Sequence, residues 1–155
     1  MPYTVNLVTF PEQAIAYIRE RGPLTDLPSR IGRLMRALGD LQPQGPVMAR
    51  YFEDRVDADD LDYEVAVPIE RREDGSVPDR IGEARGGVIP AHRAVVTYHG
   101  GPYHEIHTGY TALTEELNAL GYAMAGPATE VYVRGPESTP DPTQYVTELR
   151  LPVAG

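Results

Sequence analysis

Apolar and polar positions along this chain change period from segment to segment. Residues 3–9 (YTVNLVT), 47–53 (VMARYFE), 63–69 (YEVAVPI), 91–99 (AHRAVVTYH) and 147–153 (TELRLPV) are short and β-rich or alternate with period two. That is the spacing of a strand with one face buried. Pro127 opens another such run, in which Glu130 and Tyr132 alternate with Thr129, Val131 and Val133. If Val131 and Val133 face a core, Glu130 and Tyr132 share the opposite face. Helical spacing appears twice. Residues 26–38 place Ile31, Leu34, Met35 and Leu38 on one stripe, with Asp26 or Ser29 as a cap and Gly39 at the end. Residues 103–120 place Ile106, Tyr110, Leu113, Leu117 and Leu120 likewise, and Gly121 ends the run. Residues 13–20 fit either period. Gly22-Pro23 stops them early, which favours a strand. Residues 70–86 read as a polar connector.

The element order is therefore strand, helix, strand, strand, given twice. Gly22-Pro23 recurs as Gly101-Pro102, an offset of 79, and EVAVPI at 64–69 recurs as ELRLPV at 148–153, an offset of 84. The five-residue drift is a longer loop in the second half. Glu64 lands on Glu148 and Pro68 on Pro152. Neither half can hide an apolar sheet face alone. The expected fold is α+β: duplicated strand-helix-strand-strand halves, about 1–69 and 90–153, forming an antiparallel sheet. Two helices would lie on one face and a ligand groove on the other, all in a single domain over 1–155. Within that scheme Tyr51 falls opposite Tyr132, and Tyr17 and Tyr98 share a face of their strands.

Composition narrows the chemistry. There is no cysteine, so thiol catalysis, disulfides and thiolate metal sites are excluded. All fourteen basic residues are arginine, which removes Schiff-base chemistry and the phosphate-loop lysine. The net charge is −9 and no basic face is evident, so direct nucleic-acid binding is not expected. An acidic chain attracts cations instead. Ten tyrosines, against two phenylalanines and no tryptophan, suit a half-wet aromatic pocket. No apolar run approaches the roughly 20 residues of a membrane helix, and MPYTVNLV lacks the basic start of a signal peptide. A cytoplasmic protein without membrane contact is the expectation.

The remaining polar clusters read blandly. His104 and His107 stand three apart, not the four that put two imidazoles on one helix face, so no metal is expected. The acidic run Glu53, Asp54, Asp57, Asp59, Asp60 and Asp62 lacks the spacing and turn glycine of a calcium loop. It reads as a solvated hairpin. The Glu64–Glu148 repeat points to a structural role for both. Glu130 is either an exposed strand residue paired with a neighbour such as Arg150, or the floor of a cleft.

The segments GPYHEIHTGYTAL, GPATEVYV and YVTELRLPV, in this order and spacing, resemble the GyrI-like small-molecule-binding domain, which is also the effector-binding domain of multidrug-responsive transcription activators. The resemblance implies a groove between the halves that binds lipophilic cations between aromatic rings. A buried glutamate two positions before an aromatic, Glu130 here, would supply the counter-charge. The ligand set it implies is Glu130, Tyr132, Tyr51, Tyr17 and Tyr98, with a small molecule as the partner and no cofactor. Some members hydrolyse strained electrophiles, for which Glu130 would be the catalytic base, and some inhibit DNA gyrase. Members often carry a tryptophan late in the second helix, where this chain has Glu116 or Leu117, which weighs against hydrolysis. No helix-turn-helix precedes residue 1, so a stand-alone member is expected.

Overall fold

The structure, a computed structural model, describes residues 3–53 and 59–154. Asp54 and Asp57 of the acidic run lie outside the described residues. In chain order the elements are β1 (Asn6–Phe10), β2 (Gln13–Gly22), α1 (Leu27–Leu38), β3 (Met48–Tyr51), β4 (Leu61–Pro68), β5 (Arg80–Ile81), β6 (Ala84–Ile89), β7 (His92–Gly100), α2 (His107–Leu120), β8 (Ala123–Met124), β9 (Ala128–Arg134) and β10 (Val146–Ala154). Single 3-10 turns cover Leu24–Asp26, Tyr103–Glu105 and Pro142–Gln144. The chain is α+β, its strands pair antiparallel, and residues 13–20 are strand. It forms two compact units: residues 11–91, and the described residues of 1–10 with 92–155.

In the 11–91 unit the strand order is β3-β4-β2-β6-β5. Ala14, Ala16 and Ile18 of β2 and Val65 and Val67 of β4 share one face. They pack with Leu34 and Leu38 of α1, the i and i+4 positions of its stripe. Pro28 sits in the first turn of α1, where a missing N–H goes unnoticed. Neither Asp26 nor Ser29 caps the helix with its side chain; the Ser29 hydroxyl donates to the Asp26 carbonyl instead.

In the other unit the order is β1-β7-β10-β9, with β8 on the end of β10. Val95, Leu149, Leu151 and Val153 pack with Leu113 and Leu117 of α2. The buried line of α2 is Gly109, Leu113 and Leu117, while Leu120, expected on the core stripe, is exposed. Gly109 shifts the line. A Cβ there would lie 2.5 Å from Leu149 Cδ1, so the glycine lets the start of the helix press onto β10.

The stretch read as a polar connector, 70–86, contains β5 and the start of β6, and β6 covers the outer edge of β2. Its two glycines hid it, because glycine argues against a strand. Here they serve close approach. A Cβ on Gly86 would fall 1.7 Å from the Pro78 carbonyl oxygen, and one on Gly87 3.0 Å from the Tyr17 ring. Residues 3–9 were read as the start of the first half, yet β1 pairs with β7 and covers its outer edge, as β6 covers that of β2.

Candidate functional site

Strand register decides which side chains meet. Cross-strand partners point to the same face. Glu130 pairs with Leu149, Tyr132 with Thr147, and Leu149 with Thr97. Leu149 packs against α2, so Glu130 and Tyr132 point to the side of their sheet that α2 covers. Val131 pairs with Glu148, which pairs with Tyr98, and these three point the other way. Val133, expected on the core side with Val131, is 47% exposed. It is the extra residue of a bulge, where the pairing moves from Thr147↔Tyr132 to Val146↔Arg134.

Glu130 is 4% exposed. Its Oε1 accepts a hydrogen bond from the Tyr132 hydroxyl at 2.9 Å, and its Oε2 one from the Tyr110 hydroxyl at 2.8 Å. A carboxylate oxygen accepts and a phenol hydroxyl donates, so both oxygens are held in place. Tyr110 stands in the apolar stripe of α2 and was read as a core residue. The available signal was its phenol: a buried tyrosine hydroxyl wants an acceptor, and the E-x-Y strand supplies it.

Two further rings surround this pair. Tyr103, in the 3-10 turn before α2, meets Tyr132 edge-on at 5.7 Å between ring centroids and lies 5.0 Å from Tyr145. Gly135 makes room for it, since a Cβ there would come 2.8 Å from the Tyr103 hydroxyl. Burial, then the nearby Glu137, pushes the Tyr103 phenol up to about 12. Tyr103 therefore stays a neutral donor and a ring. Neither Tyr103 nor Tyr145 was singled out, because both lie in turns where no periodicity points to a face.

Of the other expected ligand residues, Tyr98 lies in the same unit as Glu130, and Tyr17 and Tyr51 lie in the 11–91 unit. Tyr98 is 55% exposed and donates to Glu148 Oε1 at 2.7 Å. One position from Thr97, it points away from Glu130 by strand alternation. Tyr17, between Ala16 and Ile18, points away from α1 for the same reason, over Gly87. Tyr51 is buried in the 11–91 unit, stacked on Tyr63 at 5.8 Å. Arg150, offered as a partner for Glu130, pairs with Glu148 instead. Its repeat, Glu64, is matched by Arg50 at 2.8 Å. Burial raises the Glu64 carboxyl above the usual range, with Arg50 opposing.

In the acidic run Glu53 and Asp60 face Arg21, and Asp62 takes both ends of the Arg19 fork. His104 is exposed, 3.9 Å from Glu105. Among the described residues no three histidines and acids converge on a metal position, and no helix is long and apolar enough to cross a membrane.

Comparison with known proteins matches residues 3–154 to the GyrI-like small-molecule-binding domain. The chain belongs to this family. No curated protein sequence matches it at a significant level. Among solved structures it is similar to the C-terminal domain of EcmrR, with TM-score 0.83 and 23% identity over 99% of each chain. It spans 57% of the EcmrR chain in an EcmrR–DNA complex. It is also similar to a hydrolase from Listeria innocua, with TM-score 0.69 and 14% identity over 99% of this chain and 93% of that one. A third is SAV2435 bound to tetraphenylphosphonium, with TM-score 0.67 and 16% identity over 100% and 95%. At these identities the likeness is one of fold.

Proposed function

We propose that the Glu130 site of this GyrI-like domain binds aromatic, lipophilic cations, in drug sensing or sequestration. The observation that carries the reading is a buried carboxylate held by two phenols, with Tyr132, Tyr103 and Tyr145 as its aromatic surroundings. A cation over a tyrosine face gains about 0.5–2 kcal/mol per ring, and a desolvated carboxylate adds charge pairing. The rings offer area without a directional demand, so the site suits a class of aromatic, lipophilic cations. Tetraphenylphosphonium, the ligand in SAV2435, is of that chemical kind. Within the unit that holds Glu130 the set differs from the sequence expectation: Tyr110, Tyr103 and Tyr145 join Tyr132, and Tyr98 leaves.

Glu130→Gln keeps the shape and removes the charge. Titration with a rhodamine-type cation and a neutral dye of the same outline should show the cation losing about 1–3 kcal/mol, with the neutral dye nearly unchanged. Equal losses for both dyes, or none for either, would mean that Glu130 is not the counter-charge.

A second reading uses the same atoms. Glu130 would take a proton from water while Tyr110 or Tyr132 protonates the leaving group of a strained electrophile. The short phenol–carboxylate contacts and the fold shared with the Listeria innocua hydrolase support it. Recovery of bound epoxides and cyclopropane-bearing compounds intact after long incubation would remove it.

A further inference from the structure

The Tyr103 ring lies against Tyr132, whose hydroxyl holds Glu130, yet Tyr103 sits on a single 3-10 turn none of whose residues is buried. What holds that turn is therefore a question about the site. The answer lies at the start of the chain. His99 is 3% exposed, and its Nε2 is 3.0 Å from the carbonyl oxygen of Pro102, the residue that opens the turn. A carbonyl only accepts, so Nε2 donates to it. Nδ1 lies 2.8 Å from the Tyr3 hydroxyl, within hydrogen-bond distance. At the other end of the turn the Glu105 carbonyl accepts from the Thr108 hydroxyl at 2.8 Å, and Thr108 Oγ1 is 2.5 Å from the same Tyr3 oxygen. Both ends of the turn that carries Tyr103 are thus tied to one phenol.

The Tyr3 ring lies beside Gly109, where a Cβ would meet it at 3.6 Å, an ordinary contact distance. The next residue is held as well, the Thr97 hydroxyl donating to the Thr4 carbonyl at 2.7 Å. His99 also neighbours the site laterally: Thr147 pairs with His99 on one side and with Tyr132 on the other. A cavity of about 650 Å³ opens beside the cluster, lined by Tyr3, His99, Glu105, His107 and Thr108 among others. The segment at residues 3–5 borders this cavity through Tyr3 and Thr4, while Val5 packs against the core.

We propose that Tyr3 is a positioning residue for the Glu130 site: through His99 and Thr108 it holds the turn that sets Tyr103 against Tyr132, so the segment around Tyr3 and the ligand are coupled. The ligand part of this rests on the cation-binding reading; the positioning part does not. Coupling is reciprocal. A ligand that seats itself against Tyr103 steadies residues 3–5, and loosening those residues weakens the ligand.

Tyr3→Phe keeps the ring and removes the hydroxyl. Val153→Ala, in the core of the same unit and far along β10 from Thr147, is the control for general destabilisation. In ligand-free protein, NMR cross-relaxation between the Tyr103 and Tyr132 ring protons should weaken in Tyr3→Phe and persist in Val153→Ala. The dissociation constant for a rhodamine-type cation should rise about fivefold in Tyr3→Phe and stay constant in the control. In the native chain, saturating dye should slow hydrogen exchange at residues 3–8. Unchanged cross-relaxation and affinity in Tyr3→Phe, or equal changes in Val153→Ala, would overturn the proposal. If the native chain binds no cationic dye while Tyr3→Phe still loosens Tyr103, the cation reading falls and the positioning role stands. If Glu130→Gln weakens the dye and Tyr3→Phe leaves it alone, the reverse holds.

Discussion

Removing the Tyr110 hydroxyl tests whether Glu130 is held as an ion or as an ordinary polar group. Tyr110→Phe keeps the ring in the α2 stripe and deletes one 2.8 Å bond to Oε2. A hydrogen bond to a charged acceptor contributes about 1.5–3 kcal/mol, and one between neutral partners about 1 kcal/mol. In the native chain the change should therefore destabilise by about 2 kcal/mol. For a chain of this length that lowers the midpoint of thermal unfolding by about 4–8 °C. In a Glu130→Gln background the acceptor is neutral, and the same change should cost about 1 kcal/mol. The double-mutant cycle, read by urea unfolding of the four proteins, should thus give a coupling of about 1 kcal/mol. Tyr132→Phe, which removes the 2.9 Å bond to Oε1, should behave alike. Effects that add to within about 0.3 kcal/mol would refute the reasoning, because independent sites add that well.

Two further outcomes follow from the scaffold. Gly86→Ala should destabilise by more than about 2 kcal/mol, because its Cβ would sit 1.7 Å from a backbone oxygen that cannot turn aside. Gly87→Ala meets only the movable Tyr17 ring and should lose less, so equal melting points for the two would contradict the packing described for β6. Arg19, through its hydrogen bonds, holds the Asp62 carboxyl below its usual range. The native chain therefore has that stabilisation above pH about 4 and loses it as the pH falls through the lowered value. Asp62→Asn should cost about 0.2–1 kcal/mol at pH 7, since the pair is partly exposed, and its stability should meet that of the native chain in acid. A difference that persists unchanged at low pH would assign the effect to something other than the charge.

Period-two alternation with β-branched residues, and the Gly-Pro stops, sufficed for most strands, including 13–20, which periodicity alone left open. The duplicated Glu64 and Glu148 were legible as structural because each recurs with its flanking apolar residues, and each indeed meets an arginine, Arg50 and Arg150. The E-x-Y spacing put Glu130 and Tyr132 on one face, which no tertiary contact can alter, since alternation is a property of the extended backbone. Which face that is depends on the register of β9 against β10, a cross-strand fact, and it brought Glu130 to α2. Tyr98 was misplaced for the same reason: parity within a strand is local, but parity between strands is fixed only by pairing. The bulge at Val146 and Thr147 turned Val133 outward, and two glycines concealed β6, because what they accommodate is a carbonyl and a ring from other segments. Tyr103, Tyr145 and Tyr3 lie in turns or ahead of the first strand, where sequence carries no period. Their place beside Glu130 and His99 comes from chain closure over as many as 96 positions, which only the folded chain decides.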